Sequence, residues 1–267
     1  MSAGARREPV LRRLEGGVLL LTLNRPEKKN AFDDPQWDGL RDALDEARRD
    51  PRVAVAVVTG AGGDFSAGQD LAAFGGAAEP RADGHPNGYR GCLEALLAFD
   101  KPLLAAVRGV GVGIGFTLLF HCDVVYAGES ARLRLPFVSL GLVPEGASSY
   151  LVAAAIGVQR AAELFYTAEW IDAARAVELG IAARALPDAD LLEATLARAR
   201  EIARWPAAAL QATKRTLRLP HAAAIRAALE AEDAGMRERA GSPENLEALR
   251  AFLERREPDF RRFRETS

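Results

Sequence analysis

Three short, almost wholly apolar runs set the strongest constraint on what this chain can fold into: "VLLLTL" (18–23), "VAVAVVT" (53–59) and "LLAAV" (103–107). None alternates apolar with polar residues, so neither face of such a strand can meet water, and strands buried on both faces belong to sheets covered by helices. Between the first two lies "DDPQWDGLRDALDEARRDP", with an Asp at the cap, Pro35 in the first turn, and Trp37, Leu40, Leu44 and Ala47 on one stripe. That pattern predicts an amphipathic helix, with Trp37 in the core. A helix over about 88–99, ending before Lys101-Pro102, and a strand at 122–127 within "HCDVVYAG" continue the alternation.

Beyond residue 146 strand-like runs give way to helical patterns over 146–155, 158–167, 172–179, 188–204, 206–218, 221–240 and 243–255. Gly157, Gly180, Pro187, Pro206, Pro220 and Pro243 punctuate them. The expectation is an α/β core over residues 1–200 followed by a helical region over 201–267. Trp170 and Trp205 fall at helix boundaries, where packing is the expected role. "GGAAEPRADGHPNG" (75–88) reads as a mobile loop.

Composition excludes several classes of function. The net charge of -2, from 35 basic and 37 acidic residues, gives no overall field for nucleic acid or an anionic membrane, so a polyanionic ligand must be met by a local patch. Cys92 and Cys122 are too far apart and too few for a disulfide framework, and His85, His121 and His221 are scattered. No spacing resembles a metal site, and none is expected. "MSAGARREPVLRR" has no apolar stretch of signal-peptide length, and "VLLLTL" is too short to cross a bilayer, which predicts a cytoplasmic protein.

Two glycine-bearing turns follow strands: "TGAGGDFSAGQDL" (59–71) and "VRGVGVGIGFTLL" (107–119). The second is not a dinucleotide fingerprint, because the positions five residues after Gly109 and Gly111 hold Ile114 and Phe116. The absence of any Gly-Lys pair excludes a Walker loop, and Asp64 stands where a nucleophile elbow needs glycine. Such turns either pack a strand tightly against a helix or expose backbone N–H groups to a ligand, and two of them could aim two donors at one oxygen. In "PFVSLGLVPEGASSY" (136–150) the only charged side chain is Glu145, set among apolar and small residues. A solvated loop acid and a functional carboxylate are both compatible with that position.

"LTLNRPEKKNAF", "FSAGQDLAAF", "KPLLAAVRGVGVGIGFTLLFHCDVVYAG" and "LPFVSLGLVPEGASSY" together resemble the enoyl-CoA hydratase/isomerase (crotonase) superfamily, in order and spacing over nearly the whole chain. "GVGIGFTLL" and "PFVSLGLVPEGASSY" look most like the peroxisomal-type 3,2-enoyl-CoA isomerases. The resemblance implies an α/β spiral of ββα units, C-terminal helices that build a homotrimer or a dimer of trimers, and an acyl-CoA thioester as substrate. Coenzyme A is then part of the substrate, and no separate cofactor is expected.

Residue by residue, the resemblance implies that the backbone N–H groups of Gln69 and Ile114 form an oxyanion hole for the thioester oxygen. The two glutamates of the hydratases are replaced by Thr117 and Phe137, while Glu145 falls where the isomerases carry their single catalytic carboxylate. Lys28, Lys29, Ala67, Asp70 and Leu71 map to the CoA-binding surface, with Asp70 a turn acid rather than a base. Phe137, Leu140 and Gly113 map to the acyl group. Arg255 and Arg256 fall where the family's tail can reach a neighbouring subunit's CoA.

Overall fold

The computed structural model describes residues 8–70 and 88–263. Leu71 and nearly all of the loop expected over 75–88 lie outside the described residues. The strands are β1 (Val10–Glu15), β2 (Val18–Leu23), β3 (Val55–Gly60), β4 (Leu103–Val107), β5 (Val110–Val112), β6 (Val124–Gly128), β7 (Arg132–Arg134), β8 (Ile171–Asp172) and β9 (Arg184–Leu186). The helices are α1 (Asp34–Arg49), α2 (Gly88–Ala98), α3 (Ile114–Thr117), α4 (Ser148–Ile156), α5 (Val158–Thr167), α6 (Ala173–Glu178), α7 (Asp188–Ala203), α8 (Ala207–Arg218), α9 (Ala222–Arg239) and α10 (Pro243–Glu254).

A six-stranded sheet runs β1-β2-β3-β4-β6-β9, parallel except for the β1–β2 hairpin, and a three-stranded sheet runs β5-β7-β8. The apolar runs behave as their composition requires: every residue of β3 and β4 is buried. One face of the large sheet is covered by α7 through Leu196 and Ala199 against Val18, Val55, Val57 and Leu104. The other joins the main core with Leu21, Leu23, Phe65 and the α1 stripe of Trp37, Leu40 and Leu44. Asp33 caps α1 by accepting the Gln36 N–H at 3.0 Å.

The spiral arises because the chain steps from the large sheet to the small one on successive turns: β4 leads to β5, and β6 leads to β7. The first such turn ends in a single bridge, Ser66 pairing with Gly111. The backbone segments that follow β3, β5 and β7 are therefore laid side by side by hydrogen bonds. Ser66 N–H donates to Val110 at 2.9 Å, Val112 N–H to Ser66 at 3.0 Å, and Gly113 N–H to Arg134 at 3.1 Å.

Two expectations change. Strands do not end at residue 146: β8 pairs with β7, and β9 adds an edge to the large sheet. Two- and three-residue strands are too short to show a period. The helix expected from 146 starts instead at Ser148, because Gly146 (φ +72°) and Ala147 (φ +58°) are both left-handed and cannot belong to it. Trp37 is in the core as expected, whereas Trp170 is half exposed with the Arg134 guanidinium over its ring and Trp205 is largely exposed. No helix among the described residues is long and apolar enough to cross a membrane.

Candidate functional site

The site grows out of three turns that the spiral stacks together. After Ser66 the chain is pinned from both sides: Phe32 N–H donates to the Gly68 carbonyl at 2.7 Å and Asp70 N–H to the Phe32 carbonyl at 2.9 Å. With its two neighbours turned toward Phe32, the Gln69 N–H faces away and finds no acceptor among the described residues. The Gln69 side chain is fixed separately, accepting the Trp37 indole N–H at 3.0 Å. Gly68 (φ +89°) has to be glycine, since a Cβ there would lie 2.6 Å from the Val112 carbonyl oxygen and 3.8 Å from the Gly113 Cα. That close approach puts the Gln69 and Ile114 turns against each other.

Gly113 (φ +54°) turns the chain from β5 into α3, and the Phe116 and Thr117 N–H groups both bond to its carbonyl. Ile114 is the first helical residue, so its N–H has no intrahelical partner. The Glu145 carboxylate stands beside it: the Ile114 N–H draws its proton affinity down, and its Oε1 would lie 3.9 Å from a Cβ placed on Gly113. Burial is the largest influence on Glu145 and pushes its carboxyl up, the Glu232 charge adds to that, and the Ile114 N–H opposes both. The result is a group pushed up from 4.5 to about 7.

The Glu145 turn is held by groups the sequence did not advertise. Gly146 N–H donates to the Tyr89 hydroxyl at 2.8 Å, and His121 Nε2 donates to the Gly146 carbonyl at 2.8 Å. Burial forces His121 down to about 4, so its ring is neutral. Glu232 accepts the N–H groups of Ala147 and Ser149 at 2.7 and 2.8 Å. These residues stand 24 to 87 positions from the turn in sequence, and no local motif links them to it. The Thr117 hydroxyl is buried with no hydrogen-bond partner among the described residues and faces Gly146, whose Cβ position would be 3.2 Å from its Oγ1.

Phe137 is buried, its ring 6.3 Å from the Phe165 ring. Leu140 is half-buried, and its carbonyl accepts the Asn245 side-chain amide at 2.8 Å. On the nucleotide side, Lys28 and Lys29 are exposed in a turn whose Lys29 carbonyl accepts the Ala67 N–H at 2.9 Å, so those three residues are neighbours. Asn30 builds that arrangement, donating to the carbonyls of Ala61 and Asp64 while its own carbonyl accepts the Ser66 hydroxyl. Asp70 is drawn into an ion pair with Arg25 at 2.8 Å, which orients its carboxylate toward the protein. Arg256 is likewise engaged, by Glu247 and Glu254 at 2.6 Å each. Among the described residues no cluster of three potential metal ligands occurs.

Two helix-start or turn N–H groups beside one carboxylate of raised proton affinity can polarise a carbonyl and move a proton at the adjacent carbon. Residues 13–263 match the family described as enoyl-CoA hydratase/isomerase. The chain belongs to that family. It is thus a crotonase-superfamily enzyme, and the family acts on acyl-CoA thioesters. The chain is 37% identical to the 2,3-dehydroadipyl-CoA hydratase of Escherichia coli K12 over 91% of its own length and 95% of that protein. It is 33% identical to the enoyl-CoA delta isomerase 2 of Rattus norvegicus over 91% of itself and 62% of that protein. The crystal structure of an enoyl-CoA hydratase/isomerase from Pseudoalteromonas atlantica T6c superposes with a TM-score of 0.90 at 34% identity, covering 94% of this chain and 99% of the other.

Proposed function

We propose that this protein is a 3,2-enoyl-CoA isomerase in which Glu145 is the single acid–base. The observation that carries the reading is one carboxylate, pushed up to about 7, beside the N–H that opens α3. Glu145 takes the C2 proton of a 3-enoyl thioester, the C–H electron pair forms a C1=C2 bond as the carbonyl pair moves onto the thioester oxygen, giving a dienolate, and the N–H groups of Gln69 and Ile114 hold that oxygen. The same carboxylic acid then returns the proton at C4, leaving the C2=C3 double bond. The proton balance closes on one residue, with neither water nor a cofactor consumed. Lys28, Lys29 and Ala67 are assigned to the nucleotide end, and Gly113, Leu140 and Phe137 to the acyl side.

Substrate binding sharpens the base in this scheme. The thioester oxygen takes up the Ile114 N–H that lies beside Glu145 in the free protein, which removes the influence that lowers the carboxyl's proton affinity. Glu145 is then most basic when the C2 proton is before it. Thr117 and Phe137, standing where the hydratases carry their acids, argue against water addition.

The test is a paired assay of 3-enoyl-CoA isomerisation and 2-enoyl-CoA hydration with wild type and Glu145→Gln. Isomerisation should fall by ~10²–10⁴-fold in the variant while thioester binding persists, and the wild-type rate should decline as pH drops below about 7. Hydration is the second reading, favoured by the 37% identical hydratase relative; fast hydration that survives Glu145→Gln would overturn the single-base scheme. We further assign residues 201–267 to assembly as a homotrimer or dimer of trimers. Leu217, Leu219, Phe252 and Leu253 expose apolar surface on that region, and a monomeric mass in solution would refute the assignment.

A further inference from the structure

Glu232 sits on α9, is only 6% exposed, and directs both carboxylate oxygens at the same short segment, the N–H of Ala147 at 2.7 Å and of Ser149 at 2.8 Å. Those are the cap and second positions of α4, and Ala147 offers no side-chain cap of its own. Ala147 is also a non-glycine residue at φ +58°, a strained conformation that persists only where its surroundings impose it. Glu145 lies two residues earlier, joined through Gly146, which Tyr89 and His121 hold by its N–H and its carbonyl.

We propose that Glu232 is a positioning residue for Glu145: the C-terminal helices supply the carboxylate that fixes the turn on which the base is mounted. The inference rests on Glu145 being the base. Glu232 does not touch the reacting atoms; it acts through Ala147 and Ser149. Its carboxylate, itself pushed up by burial but held by the two N–H groups, also raises the proton affinity of Glu145, so the same group that holds the base strengthens it. The other titratable and charged groups around it are Asp233, paired with Arg90 of α2 at 3.2 Å, then Tyr89 of α2, and His121 beyond Gly146. On α4 itself Tyr150 is bonded to His221 at 2.7 Å.

Glu232→Gln keeps the shape, removes the charge and leaves one acceptor for two donors. A loosened catalytic group typically costs ~10–100-fold in rate, so kcat per active site should fall by that factor with KM little changed. The acid limb of the kcat–pH profile should move to lower pH, because the charge that raised Glu145 is gone. Glu232→Asp keeps the charge but is too short to reach both N–H groups; its acid limb should stay at the wild-type pH while kcat falls. An effect on melting temperature alone, with wild-type kcat per active site and an unmoved acid limb in Glu232→Gln, would overturn the proposal. Should the Gln variant not fold, wild-type kcat in Glu232→Asp would overturn it. Glu145→Gln, run alongside, separates the two readings. If it retains isomerisation, the base assignment has failed and this inference fails with it; if it is inactive while both Glu232 variants behave as wild type, only the role of Glu232 is refuted.

Discussion

In the large sheet the buried residues are apolar without exception along β3 and β4 apart from Thr59 and Gly60, whereas in α8–α10 they are Lys214, Glu232, Asn245 and Glu247, accompanied by Ala248 and Ala251. Three of these polar residues each address a particular group in the core, while Glu247 is paired with Arg256 and Arg262 of the C-terminal segment. Lys214 donates to the Lys101 carbonyl and to Asp123, both at 2.7 Å; Asn245 donates to the Leu140 carbonyl; Glu232 takes the N–H groups that open α4. Meanwhile Trp205, Leu217, Leu219, Phe252 and Leu253 of the same region point outward. Apolar contact tells a helix to pack but tolerates a shift of position, while a buried charge seated on one N–H or carbonyl does not. The sheet therefore supplies stability, and the C-terminal helices are seated by polar contacts at defined places around the site.

The largest effect that tests this contrast is in the sheet-facing core. Phe65→Ala, at a fully buried ring, should lower stability by ~3–5 kcal/mol, read as a loss of denaturant midpoint in which strands and helices unfold together. Lys214→Met strands the Lys101 carbonyl and leaves Asp123 only the Leu103 N–H and Arg218, and should cost ~1–3 kcal/mol. Its signature is local: hydrogen exchange should accelerate in α8–α10 while amides of β2–β4 keep their protection. Equal loss of protection in the strands would break the comparison.

A comparable effect lies where the two regions meet, and its sign depends on pH. Glu145 holds its proton to about 7 in the folded protein against 4.5 for an ordinary glutamate. The folded state therefore binds more protons between those values, so this group's contribution falls as pH rises from 4.5 through about 7. Glu145→Gln should be more stable than wild type above pH 7 by about 3 kcal/mol, the advantage vanishing below pH 4.5. His121 runs the other way: it titrates at about 4 when folded against 6.5 when unfolded, so stability falls as pH drops through that window. Chemical unfolding at a series of pH values reads both slopes. The smallest effect should come from Leu253→Gln on the outward face of α10, within ~0.5 kcal/mol for the isolated chain; a large loss would mean that this face is covered in solution.

Much of the fold was legible because the signals were long or repeated. The apolar runs at 18–23 and 103–107 are strands at those bounds, and the helices over 158–167, 188–204 and 206–218 lie within a residue of where proline and glycine place them. Of the candidate site, the two glycine-bearing turns and the isolated charge of Glu145 stood out from the residues alone, whereas Gln69, Gly113 and Ile114 were singled out by the family resemblance. Phe137 was legible as a position but not as a core residue, and the ion pair that takes up Asp70 could not be read from "GQDL".

What the sequence by itself determined was the alternation of elements and the type of each turn, because those depend on neighbours within a few positions: backbone sterics at glycine, caps at Asp33, apolar stripes on a helix. What only the tertiary structure decided was which turns meet and what holds them. The bonds between Ser66 and Val110, between Gly113 and Arg134, and between Ala147 and Glu232 join segments 21 to 85 residues apart. Their partners are chosen by how the spiral stacks and where α9 is seated, and burial at that junction is what turns Glu145 from an ordinary acid into one poised near 7.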